Sequence, residues 1–161
     1  MDIEFKVMDQ EDVTNVYEFF QDLKEETIDI TFADINSKDE IENMVRDEDV
    51  FIYTAYYKNE IAGVFRGIRG KGNKNHSVFL TAAIPKRLRG KRIAQKLTDF
   101  GLDDMRNKGI RIARAYVYSD NNSSVSTLLK QGFTFSGCVN MHHYDDKENR
   151  YVDDLIFHKI L

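Results

Sequence analysis

Between residues 85 and 97 the sequence reads PKRLRGKRIAQKL, and Lys86, Arg87, Arg89, Lys91 and Arg92 crowd around a single glycine, Gly90, before the pattern turns apolar. Residues of these types at this spacing can hold an anion. A helix N-terminus presents backbone N–H groups that no carbonyl of the helix satisfies, together with a partial positive charge. A glycine just before it lets the chain turn closely. The segment from Arg89 through Ala94 is then expected to aim successive amides at one spot, with the basic side chains screening a diphosphate from outside. The small Ala94 leaves room for a ligand against the backbone. A solvated basic turn that only caps a helix fits the same composition, and spacing alone leaves both readings open.

Other chemistries find less support. The segment GIRGKGN at 67–73 is glycine-rich but lacks the G-x-x-x-x-G-K-[ST] order of a phosphate loop, and no helix follows it. His142 and His143 are adjacent, so on a regular strand they point to opposite faces and cannot share an ion; no metal is implied. No G-x-S-x-G elbow occurs. The single cysteine, Cys138, cannot form an internal disulfide and is expected to be a small buried residue rather than a nucleophile.

The elements that must position the basic turn follow from hydrophobic period. IEFKV alternates like a strand, and Val13, Val16, Tyr17, Phe20 and Leu23 recur at helical spacing over residues 10–24, followed by a second helix over 38–47. VFIYTAYY and EIAGVFRGI read as a hairpin turning at Lys58-Asn59. HSVFLTAAI lacks clean alternation, which predicts a strand covered on both faces. A helix runs from Ile93 to a stop at Gly109, then a strand IRIARAYVY, a helix capped by Asn and closed by Gly132, and a closing hairpin through DDKEN. The fold class is therefore mixed α/β. At 161 residues and 42% hydrophobic content, one domain spanning 1–161 is expected. A net charge of -4 argues against a nucleic-acid binder. The first residues resemble no signal peptide, and no apolar run approaches the roughly 18 residues of a membrane span, so a cytoplasmic protein without a membrane partner is expected.

The order of strand, R-G-K-R-I-A, amphipathic helix, strand and NNSSVSTLLKQGF resembles the GNAT superfamily of N-acetyltransferases. The resemblance implies a central mixed, mostly antiparallel sheet of about seven strands with about four helices on its two faces. It implies that the R/Q-x-x-G-x-G/A signature, here Arg89, Gly90, Lys91, Arg92, Ile93 and Ala94, binds the pyrophosphate of acetyl-CoA. Ile84 would lie along the pantetheine, and Asn121, Ser124, Lys130, Gly132 and Phe133 fall on the marked positions of the family's second motif. Two departures matter. Arg92 stands where the signature has its central glycine, and is expected to keep an ordinary negative φ inside the first helical turn. Leu128 stands where many members carry the tyrosine that protonates the departing thiolate.

The implied reaction is direct transfer of acetyl from acetyl-CoA to a primary amine, on a small molecule or a peptide N-terminus, with a backbone amide of FLTAAI polarising the carbonyl. A thiol of pKa about 8.5 leaves with little help, whereas an amine of pKa about 10.4 must first lose a proton. His76 is a candidate base and Tyr116 a candidate replacement acid, with a loop histidine and a core tyrosine as the alternatives. Glu25 and Glu26, just after the first helix, are candidates for attracting the amine. A binding module that keeps the acetyl-CoA cradle without turnover is the competing reading. The exposed closing strands allow a homodimer.

Overall fold

The computed structural model of the chain describes residues 2–26 and 35–161. It opens with strand β1 (Glu4–Val7), a 3-10 turn at Gln10–Asp12 and helix α1 (Val13–Glu26). Periodicity predicts one continuous helix from residue 10; the first turn is separate instead. The Asp9 carboxylate accepts from Glu11 N, and the Asp12 carboxylate turns back to accept from Asp9 N at 3.0 Å. Asp12 is buried and also meets Lys6 Nζ at 3.0 Å and the Tyr56 hydroxyl at 2.7 Å. That network locks the turn against the sheet. Helix α1 then buries Val13, Val16, Phe19, Phe20 and Leu23 and continues through Glu25 and Glu26, which belong to its last turn rather than to the chain beyond it.

Helix α2 (Lys38–Arg46) starts at Ser37, whose hydroxyl accepts from Glu40 N. Strands β2 (Val50–Tyr57) and β3 (Glu60–Arg69) are joined by Lys58 and Asn59, both at positive φ (52 and 65), as a two-residue hairpin turn requires. Strand β4 (Ser77–Ala83), helix α3 (Ile93–Asn107), strand β5 (Ile112–Tyr118), helix α4 (Asn122–Lys130) and strands β6 (Thr134–Asp145) and β7 (Arg150–Ile160) complete the chain. Gly109 (φ 92) and Gly132 (φ 81) supply the left-handed residues that close α3 and α4.

The seven strands form one sheet in the order β1-β2-β3-β4-β5-β7-β6, antiparallel everywhere except between β4 and β5. Strand alternation divides the core in two. On one face, α1 and α2 pack over Ile52, Val64 and Ala83. On the other, α3 brings Ile93, Leu97 and Met105 against Tyr53, Phe65, Leu80, Ala113 and Phe157, with Val125 and Leu128 of α4 at the margin. Each fully buried large apolar side chain contributes about 1.5–3 kcal/mol. β4 is covered on the α3 face at Val78 and Leu80, while Phe79 and Thr81 on the other face are only half-buried. No described helix is long and apolar enough to cross a membrane.

Candidate active site

β4 and β5 pair in parallel from Ser77↔Ile112 to Leu80↔Ala115 and then part, although β4 runs on to Ala83 and β5 to Tyr118. On its other edge β4 stays paired with β3 as far as Val64↔Ala83. A notch therefore opens between Thr81–Ala83 and Tyr116–Tyr118, edged on the β4 side by backbone that no described strand completes. Pro85, which has no N–H to donate, ends the strand. Its carbonyl and that of Lys86 accept from Leu88 and Arg89 in a 3-10 turn, and the chain then enters α3 at the mouth of the notch.

The predicted cradle occupies this junction. Gly90 has φ 76, and a Cβ there would meet nothing within 4 Å, so conformation and not crowding calls for glycine. Arg92 is the N-cap of α3, at φ 60 and ψ 19. This corrects the expectation of a negative φ inside the first helical turn: Arg92 stands one residue before the helix, in the left-handed region that favours glycine. Gly90 and Arg92 both lie in the left-handed region, and alternating handedness along a turn is the kind of backbone that can gather amides toward an anion as a nest. Arg92 makes no side-chain cap bond. Among the described residues, no amide from Gly90 to Gln95 donates to a protein acceptor. Residues 84–94 contain no carboxylate. Among the described residues, Glu26 accepts from Lys86 N at 3.0 Å and Glu60 meets Arg87 at 3.9 Å. Uncapped amides, surrounding cations and, among the described residues, no acid capping those amides fit the diphosphate of a coenzyme A.

The other predicted residues divide into two groups. Ile84 follows β4 directly, and Arg89 Nε donates to its carbonyl at 3.4 Å, tying the strand end to the nest. The Ile93 side chain is buried in the core, so only its backbone faces the junction, and Ala94 is half-buried. Asn121 caps α4, accepting from Ser124 N at 3.2 Å. Tyr116 is the first β5 residue past the last β4–β5 pair and is 49% exposed, so it is not a core residue. Its neighbours Ala115 and Val117 pack toward α3, which turns Tyr116 to the opposite face, where it meets Phe79 at 5.2 Å between ring centroids.

His76 does not join them. It precedes β4, where its carbonyl accepts from Arg111 N and Ile112 N. The strand lies between it and the nest, about 20 Å at 3.3 Å per residue. Leu128 packs against the core margin. Cys138, expected to be buried, is exposed because β6 is an edge strand. Desolvation first, then the charges of Asp153 and Asp154, hold its thiol above the ordinary range, which disfavours a thiolate nucleophile.

One grouping escaped sequence reasoning. His142 and His143 lie on the same side of β6, both beside Asp154 of β7. Alternation predicts opposite faces, and a bulge between Val139 and His143 breaks it.

A model of the Acetyltransferase (GNAT) family matches residues 13–133. Among solved structures, an acetyltransferase of the GNAT family from Streptococcus pneumoniae superposes with a TM-score of 0.90 at 19% identity, over 99% of this chain and 100% of its own. Ribosomal-protein-alanine N-acetyltransferase from Brucella melitensis gives 0.83 at 20% identity, over 98% and 99% of the two chains. A putative acetyltransferase from Salmonella typhimurium, solved with acetyl-CoA, gives 0.85 at 16% identity, over 99% and 94%. No curated protein matches the chain. With the family match running from α1 through α4, over most of the chain, the chain belongs to the GNAT family of acetyltransferases.

Proposed function

We propose that the chain is an acetyl-CoA-dependent N-acetyltransferase whose acceptor is a primary amine, on a small molecule or a peptide N-terminus. The observation that carries this reading is the uncapped, doubly left-handed entry to α3 at the mouth of the β4–β5 notch. Amides from Gly90 to Ala94 hold the diphosphate, Lys91 and Arg92 add charge, and the backbone near Ile84 carries the pantetheine along the open edge of β4.

When bound, acetyl-CoA supplies an activated thioester carbonyl. An amide on the unpaired edge of β4 beyond Leu80 donates to that carbonyl oxygen. Holding the amine against the same edge makes the encounter intramolecular, and the protein needs no nucleophile of its own. Tyr116, exposed at the mouth, is the proton donor to the sulfur in place of the missing tyrosine at Leu128. Because a thiol of pKa about 8.5 leaves readily, this help is modest. The amine, of pKa about 10.4, loses its proton to water in the open face of the notch, since His76 lies at the far end of β4. The chain acts as a single domain in the cytoplasm, without nucleic acid or membrane partners, and can dimerise through its edge strands.

A catalytically silent acetyl-CoA-binding module is the second reading, favoured by Leu128 and by the lack of any acidic side chain on β4. Thiol release in the presence of a panel of amines separates the two. The enzyme releases free thiol with at least one amine and more slowly as Tyr116→Phe. Acetyl-CoA that raises the melting temperature without thiol release from any amine identifies the binding module.

A further inference from the structure

The register of β6 on β7 passes from Val139↔Asp154 to His143↔Val152, so Asn140, Met141 and His142 stand opposite the single residue Asp153. Met141 takes φ 52, and its amide donates to Asp153 Oδ1 at 2.7 Å, which fixes the bulge. The extra residues rotate His142 onto the face that His143 already occupies. His142 Nδ1 then lies 3.1 Å from Asp154 Oδ2, and His143 Nε2 lies 3.6 Å from the same oxygen. All three donor atoms fall within 4.8 Å of one another.

The surroundings are those of a ligand set. The Asp154 side chain is 9% exposed, a buried carboxylate whose partner at 3.1 Å, His142 Nδ1, is itself a metal-ligand atom. His143 Nε2 is shut off from solvent and makes no hydrogen bond among the described residues. The Tyr118 ring packs on His143 at 4.4 Å and the two imidazoles meet at 4.6 Å with their planes tilted by 55°, which orients both rings. The His142 side chain is 51% exposed, so one side of the cluster stays open.

We propose that His142 Nδ1, His143 Nε2 and an Asp154 carboxylate oxygen form a binding site for a divalent transition metal of the zinc class, with a fourth position open to solvent. Ligand atoms of a tetrahedral zinc site lie about 3.3 Å apart, given metal–ligand distances near 2.0 Å. The two separations to Asp154 bracket that value, and rotation of the exposed His142 ring closes the remaining gap. Two imidazoles and one carboxylate suit zinc or its neighbours and not magnesium or calcium, which take oxygen ligands. The site stands on its own geometry and does not rest on acetyl transfer.

The test is calorimetric titration of the untagged full chain with Zn2+ and with Mg2+, joined to visible absorption on titration with Co2+. One Zn2+ per chain, no Mg2+ binding and a tetrahedral cobalt spectrum are expected. His142→Ala should weaken zinc by at least about 10-fold, since even outer-shell partners are worth that much. His142 is exposed, so this variant keeps its fold, as circular dichroism checks, and it decides the matter even where His143→Ala or Asp154→Asn unfolds. Cys138→Ser, His76→Ala and His158→Ala should bind as the unmodified chain does. Zinc binding that is absent, that survives His142→Ala, or that is lost with Cys138→Ser overturns the site.

Discussion

A Cβ built on Gly63 of β3 would lie 2.3 Å from Cδ1 of Ile84 and 3.5 Å from Cδ2 of Leu97, so the missing side chain at 63 is what lets Ile84 lie inward against α3. The end of β4 and the entrance to the nest are thus set by a vacancy on the neighbouring strand. Gly63→Ala should push the Ile84 terminal methyl outward and, because that methyl is the free end of a side chain, lower the unfolding free energy by only about 1 kcal/mol, the low end for overpacking. Ile84→Val or Ile84→Ala in the same chain should recover part of that loss. Denaturant unfolding of the single and double variants measures the coupling, and strictly additive losses would show that the two residues do not compete for this space.

Gly90 presents the opposite situation, with open space around it and φ 76. Gly90→Ala meets no atom and should lose only about 1–2 kcal/mol to left-handed strain. Its larger effect is expected on acetyl-CoA, because relief of that strain turns the amides of the nest apart. A 10-fold weaker complex is about 1.4 kcal/mol of lost ligand stabilisation at saturating concentration, and thermal unfolding with and without acetyl-CoA reads it directly.

Arg92 holds the same left-handed region with a side chain attached. Arg92→Gly trades strain of about 1–2 kcal/mol for a glycine entropy cost of about 0.5–1 kcal/mol, so stability should be unchanged or slightly higher. Arg92→Val, β-branched and unsuited to positive φ, should lose at least about 1 kcal/mol relative to the unmodified chain. Arg92→Gly should still bind acetyl-CoA, with a weaker dependence on salt because one cation is gone.

The turn before α1 predicts an alkaline limit. Burial first, then the hydrogen bond to Asp12, pushes the Tyr56 hydroxyl up to about 12. A folded pKa above the unfolded value near 10 means that the folded state holds the proton longer, so the stabilisation is complete below pH 10 and is lost as pH rises from about 10 through 12. Tyr56→Phe should flatten that part of the stability curve, as chemical denaturation between pH 9 and 12, the range set by this shift, would measure. Tyr53, also raised by burial and by Asp104, continues to contribute a slope of the same sign.

What the sequence made legible was local. The 3.6 and 2.0 periods placed the helices and strands, Lys58-Asn59 placed the hairpin turn, and Gly109 and Gly132 placed the helix ends, because each is decided within a few residues of chain. The left-handed glycine before α3 was legible for the same reason, whereas the left-handed Arg92 beside it was not. What escaped depends on partners distant in sequence. The β6 bulge exists because Asp153 captures the Met141 amide across the hairpin, so neither His142 nor His143 announces that they share a face. His76 is a candidate base in the sequence, with a loop histidine as the alternative, and only the direction of β4 shows that the strand lies between it and the head of α3. The exposure of Cys138 follows from the position of β6 at the sheet edge, which strand order alone decides.

A crystal structure of the chain grown with coenzyme A shows where the cofactor sits. The diphosphate should lie within hydrogen-bond distance of the backbone nitrogens of Gly90 through Ala94, with the pantetheine entering the notch between β4 and β5. Phosphates bound anywhere else on the molecule, with those nitrogens facing solvent, would contradict this placement.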